Sequence, residues 1–106
     1  MKAAKTNKKG MKMNSVIDIG VIGCGVAGRS VMRRILKRDS RIRVAALYDP
    51  DQASIDQALD ETASFSPQVC SDYREIMDMP NIQWVLIASW NVHHCEQVVA
   101  AFEAGK

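Results

Sequence analysis

Two periodicities take turns along this chain. Val16-Ile17-Asp18-Ile19-Gly20-Val21-Ile22 is a short run rich in β-branched residues that stops at a glycine, as a largely buried strand does. From about Val26 to Arg38 the period lengthens. Ala27, Val31 and Ile35, with Met32 and Leu36, recur four apart, and Arg29, Arg33, Arg34, Lys37 and Arg38 take the other face of the implied helix. Residues 41–48 return to strand character, with Asp49 at the end and Pro50 where a first helical turn accepts proline. Ile55, Ala58 and Leu59 then give the next helix a modest apolar face. Gln68-Val69-Cys70 suits a short third strand, residues 72–77 one or two helical turns, and Pro80-Asn81 a break. Ile82 to Ala88 is a fourth strand. The last helix runs from about Val92 to Ala104, with Val92, Cys95, Val99 and Phe102 on its apolar face and Gly105 as its stop.

Strands that alternate with helices at this spacing pair in parallel through right-handed crossovers. The first and fourth strands lack a polar alternation, as expected of strands covered on both faces. The expected fold class is α/β: a doubly wound, Rossmann-like parallel sheet in three αβα layers, with its ligand crevice outside the carboxyl ends of the strands.

Length and charge narrow this picture. At 106 residues and 47% hydrophobic content, the chain suits one small domain. It has no run of 18 uncharged apolar residues, so no membrane-spanning helix is expected. The net charge of +2 hides an asymmetry. Residues 1–14 hold five lysines and no acid, leaving nine basic against twelve acidic residues in 15–106. The expected organisation is a basic, disordered tail at 1–14 and a folded domain at 15–106. The tail has no aromatic residue on which a base could stack, so nucleic acid is not an expected partner. The seven basic residues between Arg29 and Arg43 read as a solvated outer helix face. Cys24, Cys70 and Cys95 are odd in number and form no C-x-x-C pair. They imply reduced thiols in a cytoplasmic protein, with no zinc cluster or disulfide framework.

The chemistry lies in the loops. Gly23-Cys24-Gly25-Val26-Ala27-Gly28 is a G-x-G-x-x-G between a strand and a helix, and Asp49 stands 21 residues beyond Gly28 at the end of the next strand. That combination points to a dinucleotide. Gly23 permits the turn, Gly25 lets a diphosphate approach the backbone, and Gly28 lets the helix pack close. The amides of Val26, Ala27 and Gly28 then face the phosphates. Asp49 would accept from the adenosine ribose hydroxyls and repel a 2′-phosphate, which favours NAD, with NADP as the alternative because Arg41 and Arg43 precede it. Two simpler roles stay open: a glycine turn that only connects, and Asp49 as a helix cap. Ser89-Trp90-Asn91-Val92-His93-His94 joins the fourth strand to the last helix on the other side of the first strand, where a nicotinamide would lie. Asn91 is equally suited to capping that helix. Adjacent histidines on a helix point in different directions, so no metal is expected.

Together these segments resemble the N-terminal domain of the glucose–fructose oxidoreductase / inositol dehydrogenase family, often written Gfo/Idh/MocA. The resemblance runs from about Ile17 to Lys106. It rests on the glycine turn, on Ser71-Asp72-Tyr73-Arg74-Glu75-Ile76, on the Ser89–His94 loop and on Ala104-Gly105-Lys106. The family's loop usually reads Thr-Pro-Asn-x-x-His, so Ser89, Asn91 and His94 match and Trp90 replaces proline. The resemblance implies an NAD(P)-dependent oxidoreductase that moves hydride between a nicotinamide and a secondary alcohol of a sugar or polyol. Gly23, Gly25, Val26, Ala27, Gly28, Asp49, Ser89, Asn91 and His94 would hold the cofactor. In the family, a Glu-Lys-Pro lysine and a second, substrate-binding domain follow the Ala-Gly-Lys stretch. The expectation is therefore an incomplete cofactor-binding domain with no catalytic residue of its own. Its small-molecule substrate and the family's oligomer-forming sheet would be met only in a longer parent protein, and a homo-oligomer is left open. The alternative is a free-standing nucleotide-binding or regulatory module that dimerises or joins a partner.

Overall fold

Each of the expected crossovers is present. A computed structural model describes residues 6–7, 10–12 and 15–106. Near the start, β1 (Thr6–Asn7) and β2 (Gly10–Lys12) pair antiparallel. The rest of the stretch read as a disordered tail lies outside the described residues. The domain then runs β3 (Ile17–Ile22), α1 (Val26–Arg38), β4 (Ile42–Tyr48), α2 (Gln52–Thr62), a 3-10 turn (Ala63–Phe65), β5 (Gln68–Val69), α3 (Tyr73–Met77), β6 (Ile82–Ile87) and α4 (Asn91–Glu103). The sheet order is β5-β4-β3-β6, with every pair parallel. Among the described residues, no helix is long and apolar enough to cross a membrane.

Side-chain alternation along the strands builds a core on each face of the sheet. Ile19 and Val21 of β3 join Met32 of α1 and Ile55 and Ala58 of α2. Ile22 joins Tyr73, Ile76 and Met77 of α3 and Ala101 of α4 on the other face. The β3–β4 register slips between Ile19 and Gly20, whose partners are Val44 and Ala46. This bulge flips the alternation of β4, so Val44 and Leu47 meet the first core while Ala46 meets the second. Three layers result, and the crevice that separates the two halves of the sheet lies at the carboxyl ends of β3 and β6, where the strand order reverses.

Several local expectations are corrected. Arg29 is not on a solvated face. Its side chain is 11% exposed, its Nη1 donates to the Cys24 carbonyl at 2.8 Å, and its Nε lies 3.5 Å from Glu61 Oε2. Ala27 is exposed rather than core. Helix α2 begins at Gln52, with Asp51 as its N-cap accepting from the Ser54 amide, so Pro50 precedes the helix. For α4 the N-cap is Trp90, and Asn91 is the first helical residue. The apolar face expected of that helix is turned outward. Val92, Val99 and Phe102 are 77%, 48% and 74% exposed, whereas Gln97 and Ala101 are buried. Strand β6 is not covered on both faces either: Gln83 and Trp84 are exposed and Val85 to Ile87 half-buried. Its outer edge carries no partner strand among the described residues.

Candidate functional site

The three glycines of the turn after β3 have different reasons to be glycine. Gly23 has φ +96°, and a Cβ there would lie 2.5 Å from the Ala88 carbonyl carbon, so both conformation and space exclude a side chain. A Cβ on Gly28 would lie 2.0 Å from the Gly23 carbonyl oxygen, because α1 crosses the turn at close range. Gly25 is different. It has ordinary extended backbone, and a Cβ built on it would meet no atom within 4 Å. Nothing inside the protein demands glycine there, and Gly25 lines a cavity.

That cavity, of about 770 Å³, opens at the carboxyl ends of the strands. On its floor, Gly25 is the N-cap of α1 and offers no side chain to the helix amides. The first helical bond runs from the Arg29 N–H to the Gly25 carbonyl at 2.9 Å. The amides of Val26, Ala27 and Gly28 precede that ladder, at the positive end of a 13-residue helix with no acid in its first turn. This end of the helix is suited to an anion.

Asp49 closes one side. Its Oδ2 accepts from the Cys24 N–H at 2.7 Å and its Oδ1 from the Asp51 N–H at 2.8 Å. The carboxylate is thus fixed to the glycine turn, and each oxygen keeps a second lone pair for a ligand hydroxyl. Of the two open roles, the cap of α2 belongs to Asp51 and not to Asp49. Arg41 and Arg43 do not reach Asp49 as ion-pair partners. Arg41 Nη2 pairs with Asp39 at 2.6 Å, and Arg43 Nη2 pairs with Asp18 at 3.1 Å. Between the turn and Asp49, Cys24 is 1% exposed and its thiol donates to the Tyr48 carbonyl. Burial, reinforced by the Asp49 charge, pushes this thiol up to about 12. It is a neutral packing group, not a nucleophile.

The opposite wall follows β6. Ser89, Trp90, His93, Glu96 and Gln97 line the cavity there. Ser89 Oγ hydrogen-bonds Gln97 Oε1. Tyr73 Oη donates to Glu96 Oε2 at 2.7 Å, and Arg74 Nη2 lies 3.6 Å from the same carboxylate, so α3 and α4 are strapped together at the rim. Of the sequence-predicted residues, Gly23, Gly25, Asp49 and Ser89 line this cavity, while Val26, Ala27 and Gly28 form the adjoining helical turn. Asn91 opens α4. His94 is not on the lining; its Nε2 is buried without a hydrogen-bond partner among the described residues. His93, Glu96, Gln97 and the Tyr73–Arg74 pair were not anticipated. Contacts between residues 23 apart leave no local signal, but Gln97 left a faint one, as a polar residue four before the buried Ala101.

Residues 17–106 match a family described as "Oxidoreductase family, NAD-binding Rossmann fold". The chain belongs to this family, Gfo/Idh/MocA. It is 34% identical over 90 residues to inositol 2-dehydrogenase of Gluconacetobacter diazotrophicus, covering 85% of this chain and 26% of that protein. It is 36% identical to an inositol 2-dehydrogenase/D-chiro-inositol 3-dehydrogenase of Halalkalibacterium halodurans, with the same shares covered. Among solved structures, myo-inositol dehydrogenase from Lactobacillus casei in complex with NAD(H) and myo-inositol superposes with a TM-score of 0.74. That match is 26% identical and covers 83% of this chain and 26% of the other. This Gfo/Idh/MocA chain therefore spans about a quarter of the length of the relatives it matches, and what it spans is their NAD-binding Rossmann fold.

Proposed function

We propose that residues 15–106 bind NAD in the cavity and serve as the cofactor-binding part of an oxidoreductase. Its substrate would be a secondary alcohol of an inositol or similar polyol, as the relatives' names indicate. The observation that carries the reading is Gly25, whose missing side chain opens space beside uncapped helix amides and serves no contact within the protein. The diphosphate takes the amides of Val26, Ala27 and Gly28, with Gly23 and Gly28 keeping the turn tight. Asp49 receives the adenosine ribose hydroxyls. Ser89 and Asn91 stand at the nicotinamide half, where Trp90 and His93 complete the wall; His94 lies off the cavity lining, with its Nε2 buried. When bound, the nicotinamide supplies the hydride acceptor. This chain's own part is to orient that ring and keep the phosphates against the backbone. Reduced thiols fit a cytoplasmic setting. The role proposed for these residues is cofactor binding, within the quarter of the relatives' length that the chain spans.

NADH titration by nicotinamide fluorescence tests this. Gly25→Val should abolish binding while the protein stays folded. NADPH should bind at least about tenfold more weakly than NADH, because a 2′-phosphate near Asp49 meets a like charge whose cost at close range is about 1–4 kcal/mol. Equal affinity of the parent and Gly25→Val, or no NADH binding at all, overturns the proposal. A second reading, a module that joins another copy or a partner, is favoured by Trp84, Val99 and Phe102 exposed on β6 and α4. A concentration-independent monomer in sedimentation equilibrium would dismiss the self-pairing form of it.

A further inference from the structure

Gln97 is the least explained residue of the cavity. It is 3% exposed, one of two buried polar or charged residues in the described chain. The other, Thr62, returns its hydroxyl to the Ala58 carbonyl of its own helix. Gln97 instead projects from α4 into the cavity wall. The hydrogen bond that the structure gives its carboxamide joins Oε1 to Ser89 Oγ. This leaves the N–H2 end, which carries two donors, for the cavity. Its Nε2 is not among the buried side-chain atoms that lack a partner in the described residues, so the donor end keeps access to the cavity, where a ligand oxygen can meet it.

We propose that the Gln97 N–H2 is a ligand donor for an oxygen in the nicotinamide-nucleoside half of the dinucleotide; this rests on the NAD reading above. Sheet order assigns the half. Asp49 ends β4 and Ser89 follows β6, on opposite sides of β3, so a ligand with its adenosine at Asp49 brings its other nucleoside to the Ser89–Gln97 wall. Ser89 acts here as a positioning residue. Its hydroxyl occupies Oε1 and thereby turns the donor end of the amide toward the cavity.

Two ligands separate the proposal from the reading beneath it. NADH carries the nicotinamide nucleoside and ADP lacks it, and both should bind the parent chain. Gln97→Met keeps the side-chain length and removes the donors; Gln97→Glu keeps an acceptor for Ser89 and also removes them. Each should weaken NADH about threefold to tenfold, the value of one hydrogen bond, and leave ADP unchanged. Ser89→Ala should produce a smaller loss of the same kind. An unchanged NADH affinity in Gln97→Glu, or equal losses for NADH and ADP, overturns the proposal while leaving the NAD reading intact. A parent chain that binds neither ligand overturns both.

Discussion

At the scale of single residues, similar glycines carry different obligations. Gly23→Ala and Gly28→Ala each place a methyl group against backbone that cannot move aside, with contacts of 2.5 Å and 2.0 Å. Each should lose on the order of 3 kcal/mol or more in urea denaturation. Gly25→Ala meets no atom within 4 Å and changes only an N-cap preference, so its loss should stay under about 1 kcal/mol. Comparable losses at all three positions would contradict this division. The buried thiols make a second prediction. Cys24 and Cys70 are pushed up to about 12 and about 11, in both cases first by burial. Folded protein thus keeps these protons where an unfolded chain, titrating near pH 9, has lost them. Stability should be fully present below about pH 9 and fall as pH rises toward 12, by up to about 1.4 kcal/mol per pH unit for Cys24. Cys24→Ala should flatten that decline. In the folded state at pH 8, iodoacetamide should label exposed Cys95 and spare the other two.

Whole elements show which signals the sequence carries. Helix α1 occupies Val26–Arg38 as its four-residue spacing requires, and β4 and β6 begin and end within a residue of expectation. Their patterns are long, and burial in a sheet leaves little choice of register. The outward face of α4 was misread for a physical reason. Val92, Cys95, Val99 and Phe102 recur at three and four, the spacing of any buried stripe, but the face that meets β6 and α3 is the one bearing Gln97 and Ala101. A helical wheel scores glutamine as polar and cannot see the serine that meets its Oε1 from the loop before. Asp49 was legible because strand end and chemistry coincide; the Tyr73–Glu96 strap was not, because it joins two helices through tertiary packing alone. The end of α4 was legible through Gly105, whose φ of +78° lets the Lys106 N–H reach the Ala101 carbonyl. The fold of that turn brings the Lys106 ammonium to the carbonyls of Met79 and Ile82, at 2.8 and 2.7 Å. Lys106 thus ties the α4 terminus to the entry of β6. Lys106→Met should cost about 1–2 kcal/mol in thermal or urea unfolding, and leave NADH affinity unchanged, because neither carbonyl lies on the cavity.

Across the molecule, the two faces of the sheet are not equally sealed. The α1–α2 side buries Met32, Ile55 and Ala58 against β3 and β4. On the other side α3 has five residues and α4 buries little beyond Gln97 and Ala101; at the sheet edge, β6 leaves Gln83 exposed and also Trp84, which is in register with Ile19. Cooperative unfolding need not span such a structure evenly, because local opening follows the density of buried apolar contact. Hydrogen exchange should show β3 and β4 as the slowest amides and β6 with α4 as a unit that opens first. Trp84 and Trp90, both on that unit, report it by fluorescence at lower urea than the far-ultraviolet circular dichroism of the whole. NADH couples to this opening if it bridges Asp49 and the Ser89 wall. Binding then protects α4 as well as the glycine turn, by an amount set by ligand concentration over its Kd. ADP, which ends at the diphosphate, should protect the turn and leave α4 exchanging as before. Uniform protection of all four strands without ligand, or identical footprints for the two ligands, would show that the sheet behaves as one unit and that the second nucleoside does not reach β6.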